Sequence, residues 1–218
     1  MVIFSSETTA SNLLSVTLLN IVVFASGSGT NFQSIIDAIE DGRIQHGRIR
    51  GLITNRSDIQ AIERAKNHGI EHALMKPSGF SDYTGYVKAL LNKLEQWNTD
   101  LIVLAGYMIK IPEQLIEQYR GRIVNIHPSL LPKYGGKGFY GMNVHRAVIQ
   151  NEESESGCTV HLVTEEYDEG PILGQRKVPV KDSDDASSLA QRVLREEHKL
   201  FPEVISQLTE KLNSKSQQ

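Results

Sequence analysis

Cysteine, single-signed charge and long apolar runs are all scarce in this chain, and each shortage closes off a class of protein. The lone cysteine, Cys158, excludes an intramolecular disulfide and a multi-cysteine metal site, and it suits a reducing compartment. Lys and Arg number 23 against 26 Asp and Glu, for a net charge of -3, which supplies no global cationic footprint for a phosphate backbone. Nucleic acid is therefore not an expected partner. No apolar run approaches the roughly 20 residues that span a bilayer, and residues 1–18 lack the basic start and long apolar core of a secretory signal. A soluble, cytoplasmic protein with no membrane partner is expected. With 218 residues against a domain size of roughly 100 to 200, one domain is expected over 19–212. A polar tail, 213–218, follows it, and an extension, 1–18, precedes it; that extension is disordered in part or comes from an upstream start codon.

What the chain does contain is an alternation of two kinds of segment. LLNIVVFAS (18–26), IRGLITN (49–55), DLIVLAGYM (100–108), RIVNIH (122–127) and CTVHLVT (158–164) are apolar and β-branched, and read as strands. NFQSIIDAIEDG, DIQAIERAKNHG, SDYTGYVKALLNKLEQW and PEQLIEQY carry helical spacing, with Asp58 as a cap, Gly42 and Gly69 as stops and Pro112 in a first turn. Strands apolar on both faces and separated by helix-length segments imply βαβ units. The predicted class is α/β: an open, mostly parallel, Rossmann-like sheet with helices on both faces. Past residue 157 the extended runs of CTVHLVTEEYDEGPILGQRKVPV leave no room for helices, which predicts an antiparallel C-terminal extension. A last helix over 184–212 follows, with Pro202 kinking or dividing it.

Three short stretches carry chemistry. VVFASGSGTNFQSII sets a glycine-rich turn between strand and helix, where backbone N–H groups at a positive helix end converge on an anion. Gly27 and Gly29 permit a sharp turn and close approach of a ligand, while Ser28, Thr30 and Asn31 add donors. No GK[ST] follows and the third glycine of GxGxxG is missing, so an ordinary capped turn fits the same residues. In IVNIHPSLLPKYGG, Asn125 and His127 lie at i and i+2 of a strand and leave from one face, and Pro128 ends the ladder. Ligands of open parallel sheets sit beyond the carboxyl ends of the strands, so this pair and the glycine loop are expected to share one cleft. Asn suits a developing oxyanion and His a proton transfer near neutral pH; hydrogen-bonded residues of a loop junction would look alike. Ser129 falls on the opposite face, which disfavours a covalent triad. In TEEYDEGPIL (164–173), Asp168 either orients His127 and raises its pKa or belongs to an exposed acidic hairpin with Glu165, Glu166 and Glu169.

SGSGTN after a strand, NIHPSLLPKYGG and a late YDEGPIL, in that order, resemble the folate-dependent formyltransferases over roughly residues 19–208, and within them the branch acting on glycinamide ribonucleotide. The resemblance implies transfer of the formyl group of 10-formyltetrahydrofolate to the amine of that ribonucleotide in purine (IMP) biosynthesis, by direct attack, without an acyl-enzyme or a metal. It implies a catalytic trio of Asn125, His127 and Asp168, with Asn125 and a protonated His127 holding the oxyanion. It places the ribonucleotide at Gly27, Gly29, Thr30, Asn31 and Glu197. It places the folate against Met108, Ile109, Lys110, Ile111, Asn125 and the turn Thr164, Glu165, Glu166, Tyr167 and Asp168. Leu104 and Val160 are candidate apolar walls or core residues. The implied partners are small molecules, and the protein is expected to be a monomer or homodimer.

There are departures from the family pattern. Ile109 stands where many relatives carry Arg, so a charge near the folate is missing or comes from Lys110, and Tyr83 stands where some members carry another Arg. GGKGFYGMNVHRAV is longer than in the shortest members, and His145 within it reads as a helix-surface residue. Methionyl-tRNA formyltransferase shares the trio but needs a second, basic domain, whereas only about fifty residues without a basic block follow Asp168. Formyltetrahydrofolate deformylase, a hydrolase, carries a regulatory domain that eighteen N-terminal residues cannot form. A nucleotide-binding Rossmann module without formyl chemistry explains SGSGTN but neither NIHPSLLP nor YDEGP.

Overall fold

A computed structural model describes residues 18–215; the extension expected over 1–18, save Leu18, and the last three residues of the tail lie outside the described residues. The chain runs β1 (Leu19–Ala25), α1 (Thr30–Glu40), β2 (Gly47–Thr54), α2 (Gln60–Asn67) and β3 (Glu71–Leu74). It continues through α3 (Tyr83–Gln96), β4 (Leu101–Leu104), α4 (Glu113–Gln118), β5 (Ile123–His127) and α5 (Met142–Gln150), and ends with β6 (Glu155–Leu162), β7 (Ile172–Pro179) and α6 (Ala186–Lys215). The strands form one sheet in the order β3-β2-β1-β4-β5-β6-β7. Neighbours from β3 to β5 pair in parallel, while β6 and β7 extend the sheet antiparallel.

The central strand shows why the sheet is covered on both faces. Every residue of β1 is buried, and successive side chains point to opposite faces. Ile21, Val23 and Ala25 join Phe32 and Ile35 of α1, Ala61 of α2 and Phe201 of α6 in one apolar cluster. Val22 and Phe24 join Tyr86, Leu90 and Leu94 of α3 and Leu115 of α4 in the other. The chain leaves β1 toward β2 and β3, then returns through α3 to lay β4 on the other side of β1. The segments that follow β1 and β4 therefore diverge, and the crevice between such segments is where doubly wound sheets bind ligands.

Four details differ from the sequence reading. The edge strand β3, with sequence EHAL, goes unread because it is short and mostly exposed and carries no apolar alternation. Only Leu101–Leu104 of the 100–108 run is strand; Ala105 N–H still reaches the Phe24 carbonyl, and Gly106 then turns the chain with φ +76°. Asp58 does not cap α2. The N-cap position is Ile59, without a side-chain cap, and the N–H of Ala61 donates to the carbonyl of Gly27 at 3.4 Å, so part of the capping comes from the glycine loop. Helix α6 passes Pro202 undivided and runs to Lys215, so residues 213–215 are helical rather than tail.

Candidate active site

Strand β5 delivers the two residues that opened the question of chemistry. Asn125 and His127 project from the same face, opposite His161 and Thr159 of β6 in the antiparallel ladder. His127 is 4% exposed and Asn125 half-buried. The third residue of the trio, Asp168, stands in the turn between β6 and β7 with φ +58°, a left-handed conformation that Asp tolerates better than most side chains. That turn is forced close: a Cβ on Gly170 would sit 1.7 Å from the Leu162 carbonyl oxygen, so only glycine fits.

The hydrogen bonds fix how these groups face one another. The Nε2 of His127 lies 2.7 Å from the Tyr134 carbonyl; a carbonyl only accepts, so Nε2 carries a proton and Nδ1 is left facing Asp168 Oδ2 at 3.5 Å. Asp168 Oδ2 also accepts from the N–H of Gly136 at 2.8 Å. On β6, His161 gives its Nδ1–H to the Leu162 carbonyl at 2.9 Å. With the proton of that tautomer on Nδ1, its Nε2 accepts from Asn125 Nδ2 at 3.1 Å, which turns the amide so that a second N–H remains for another acceptor. His161 Nε2 also lies 3.5 Å from Asp168 Oδ1. The sequence reading missed this residue, although its signal was the same as that of His127: a polar ring inside an apolar strand, CTVHLVT.

Electrostatics here oppose one expectation. Burial pushes the His127 pKa below the usual 6.5 and outweighs the Asp168 charge and the Tyr134 carbonyl, both of which act upward. Asp168 raises the pKa as expected, yet desolvation is larger. The resting imidazole is accordingly neutral at pH 7. Burial works to raise the Asp168 carboxyl, but His161, His127 and the Gly136 N–H together hold it below its usual value. His145, expected on a helix surface, is instead 5% exposed with an unpartnered Nδ1. Burial first, then the His127 charge, brings its pKa down to about 4. The helix α5 turns this side inward because Val144 and Val148 flank it on the same buried stripe.

Covalent alternatives are committed elsewhere. Ser129 is buried and its hydroxyl donates to the Lys133 carbonyl at 2.6 Å. Cys158 is buried, with its thiol pushed up to about 12 by burial, far from the thiolate form that attacks.

Asn125, His127 and Asp168 border a cleft of about 560 Å³. Its walls include Met108, Ile109, Lys110 and Ile111 after β4 and Thr164, Glu165, Glu166 and Tyr167 before Asp168, so every expected folate contact lines one space. Leu104 borders it too, whereas Val160 is in the core. Tyr83 is 54% exposed and packs on Tyr86; it does not line the cleft.

The glycine loop does not line this cleft, contrary to the expectation of a shared one. Thr30 borders a separate hollow of about 420 Å³ with Arg64 and His198. The loop is nonetheless bolted to the cleft wall, since the Ser26 N–H donates to the Gly106 carbonyl at 3.2 Å and the Met108 N–H donates to Ser26 Oγ at 3.0 Å. Gly29 has φ +71°, and a Cβ there would lie 2.8 Å from that of Ala61, so the fold itself demands glycine. Gly27 faces nothing within 4 Å, so the fold makes no such demand there. Arg64, absent from the sequence reading, braces the loop by donating to the Ser28 carbonyl at 2.9 Å. Glu197 of α6 comes to the loop across 166 residues and accepts from Asn31 Nδ2 at 2.6 Å. Burial raises its carboxyl pKa, against the lowering by Asn31.

Fold and site together define an α/β enzyme in which Asn125, His127 and Asp168 border one cleft beyond the carboxyl ends of β4 and β5. The formyl transferase family model matches residues 19–205. The chain is 45% identical over 195 residues to a chloroplastic phosphoribosylglycinamide formyltransferase of Vigna unguiculata, covering 87% of this chain and 61% of that one. It is 39% identical over 188 residues to phosphoribosylglycinamide formyltransferase of Escherichia coli, covering 86% of each. The crystal structure of glycinamide ribonucleotide transformylase 1 from Symbiobacterium toebii superimposes with a TM-score of 0.82 at 39% identity, covering 88% of both chains. The chain belongs to the formyl transferase family.

Proposed function

We propose that this protein transfers the formyl group of 10-formyltetrahydrofolate to the primary amine of glycinamide ribonucleotide, a step of purine biosynthesis. The observation that carries the reading is the convergence of Asn125, His127 and Asp168 at one cleft, on the family fold. The amine attacks the formyl carbon directly. The N–H of Asn125 left over by His161 meets the oxygen as it becomes negative. His127, neutral at rest, takes a proton from the attacking nitrogen and returns it to the departing folate nitrogen, while the Asp168 carboxylate favours the charged imidazole in between. The formyl carbon loses one C–N bond and gains another, and no proton is left over.

The folate lies against residues 108–111 and 164–168, and the ribonucleotide phosphate against the N–H groups of the 27–31 loop, where an uncrowded Gly27 admits it. Glu197 holds Asn31 in place and meets the ribonucleotide from beneath the loop. The reaction as written needs no metal. The protein is proposed to act on small molecules alone, in the cytoplasm, as a monomer or homodimer. Among the described residues no helix is long and apolar enough to cross a membrane. The test is isotopic: donor labelled in its formyl carbon should give the label on the ribonucleotide amine by mass spectrometry. Label recovered only as formate would assign a hydrolase instead.

A further inference from the structure

The imidazole of His127 takes its orientation from a residue in an unfavourable backbone conformation. Its Nε2–H donates to the Tyr134 carbonyl at 2.7 Å, and the direction of that carbonyl depends on Tyr134, whose φ is +55°. A ring-bearing residue rarely adopts the left-handed region, and such a conformation persists only where its surroundings over-determine it. Up to Lys133 the turn after β5 is fixed by the rest of the fold. Ser129 Oγ donates to the Lys133 carbonyl at 2.6 Å, the Leu131 N–H to Thr159 Oγ1 at 3.0 Å, and Gln175 Nε2 to the Leu131 carbonyl at 2.9 Å. Tyr134 itself is held through its side chain. Its hydroxyl donates to Glu153 Oε1 at 3.0 Å, while its ring packs on the larger apolar cluster and meets Phe139 edge-on at 5.8 Å.

Glu153 follows α5, and its N–H donates to the Val148 carbonyl at 3.3 Å. Both of its carboxylate oxygens lie 2.9 Å from Lys133 Nζ. Lys133 first and Tyr134 next keep its carboxyl below the usual value, so at neutral pH it is a charged acceptor, the stronger kind. It clamps residues 133 and 134 from outside the cleft, since none of Lys133, Tyr134 and Glu153 borders it. We propose that Glu153 is a positioning residue for the transfer: through the Tyr134 hydroxyl it fixes the carbonyl that holds His127 in its Nε2–H form, which keeps Nδ1, the atom that accepts the proton, beside Asp168. This rests on the formyl-transfer reading.

The test compares Tyr134→Phe, Glu153→Ala and the double variant with the wild type. Nitrogen-15 NMR of the free protein, above the imidazole pKa, should show wild-type His127 as a single Nε2–H tautomer and each variant shifted toward a mixture. In each single variant kcat should fall about fivefold, the size of one net hydrogen bond, with KM for either substrate nearly unchanged. The double variant should fall no further, because both changes act through one contact. The acid limb of the rate should move to lower pH, because the Tyr134 carbonyl raises the His127 pKa, while Asp168, His161 and His145 still face the ring. An unchanged tautomer in both single variants, or losses that add in the double, would overturn the assignment. Should Glu153→Ala fail to fold, Tyr134→Phe, which keeps the ring, decides on the tautomer alone. Amine-dependent turnover of the wild type, measured alongside, tests formyl transfer separately: its absence would sink that reading while the tautomer still decides the role of Glu153.

Discussion

At the scale of single residues, the account turns on an imidazole whose burial and whose neighbour pull in opposite directions. Because burial wins, His127 is neutral above its lowered pKa, and the form that accepts a proton is lost as pH falls below 6.5. The acid limb of the rate should therefore lie below pH 6.5. Asp168→Asn removes an influence that raises the His127 pKa, so the limb should move to still lower pH while the maximal rate drops about 10²- to 10⁴-fold, as expected for a lost proton-transfer partner. A limb moving upward in the pH profile would refute the assigned roles. His161→Ala frees the Asn125 amide to rotate, and should lower kcat more than it raises KM for either substrate. Of these residues, Asn125 and His127 stand out in the sequence because each interrupts an apolar strand, whereas Asp168, in an acidic turn, joins them only through the family resemblance. The direction of the His127 shift was not legible, since it depends on how deeply the strand end is covered, a property of the packed molecule.

At the scale of elements, the loop after β1 and the helix α5 each make a separate prediction. A Cβ at Gly29 must adopt φ +71° and meet Ala61, and a left-handed residue costs about 1–2 kcal/mol. Gly29→Ala should thus raise KM for the ribonucleotide more than it lowers kcat, in steady-state kinetics. The buried His145 acts on stability. Below pH 6.5 the unfolded chain takes up a proton that the native site resists until about pH 4, so stability falls with pH across that window, by about 3 kcal/mol at its lower end. Urea titrations from pH 7 to 4 should show this slope, and His145→Gln should flatten it; an equal slope in the variant would contradict the assignment. The parallel βαβ core and the antiparallel extension were legible from apolar runs and helix-length spacers. The inward turn of His145 was not, because GFYGMNVHRAV gives too few apolar positions to fix which face of a short helix is buried.

At the scale of the whole molecule, the sheet order brings together segments distant in the chain. β4 returns beside β1 and β5 beside β4, so the residues after each open at one edge, and Ser26 ties the first to the second through Met108. α6 then carries Glu197 back to Asn31. The expectation of one shared cleft met two hollows instead. Thr30 of the glycine loop borders a hollow with Arg64 and His198, while Asn125, His127 and Asp168 border the larger cleft; which hollow a loop residue lines depends on the packed molecule and not on either segment alone. The central claim is direct transfer from folate to amine at Asn125, His127 and Asp168. Its most direct test is the rate of formyl loss from 10-formyltetrahydrofolate with and without glycinamide ribonucleotide. The account predicts loss that requires the ribonucleotide and saturates with it; loss at the same rate in its absence would contradict the account.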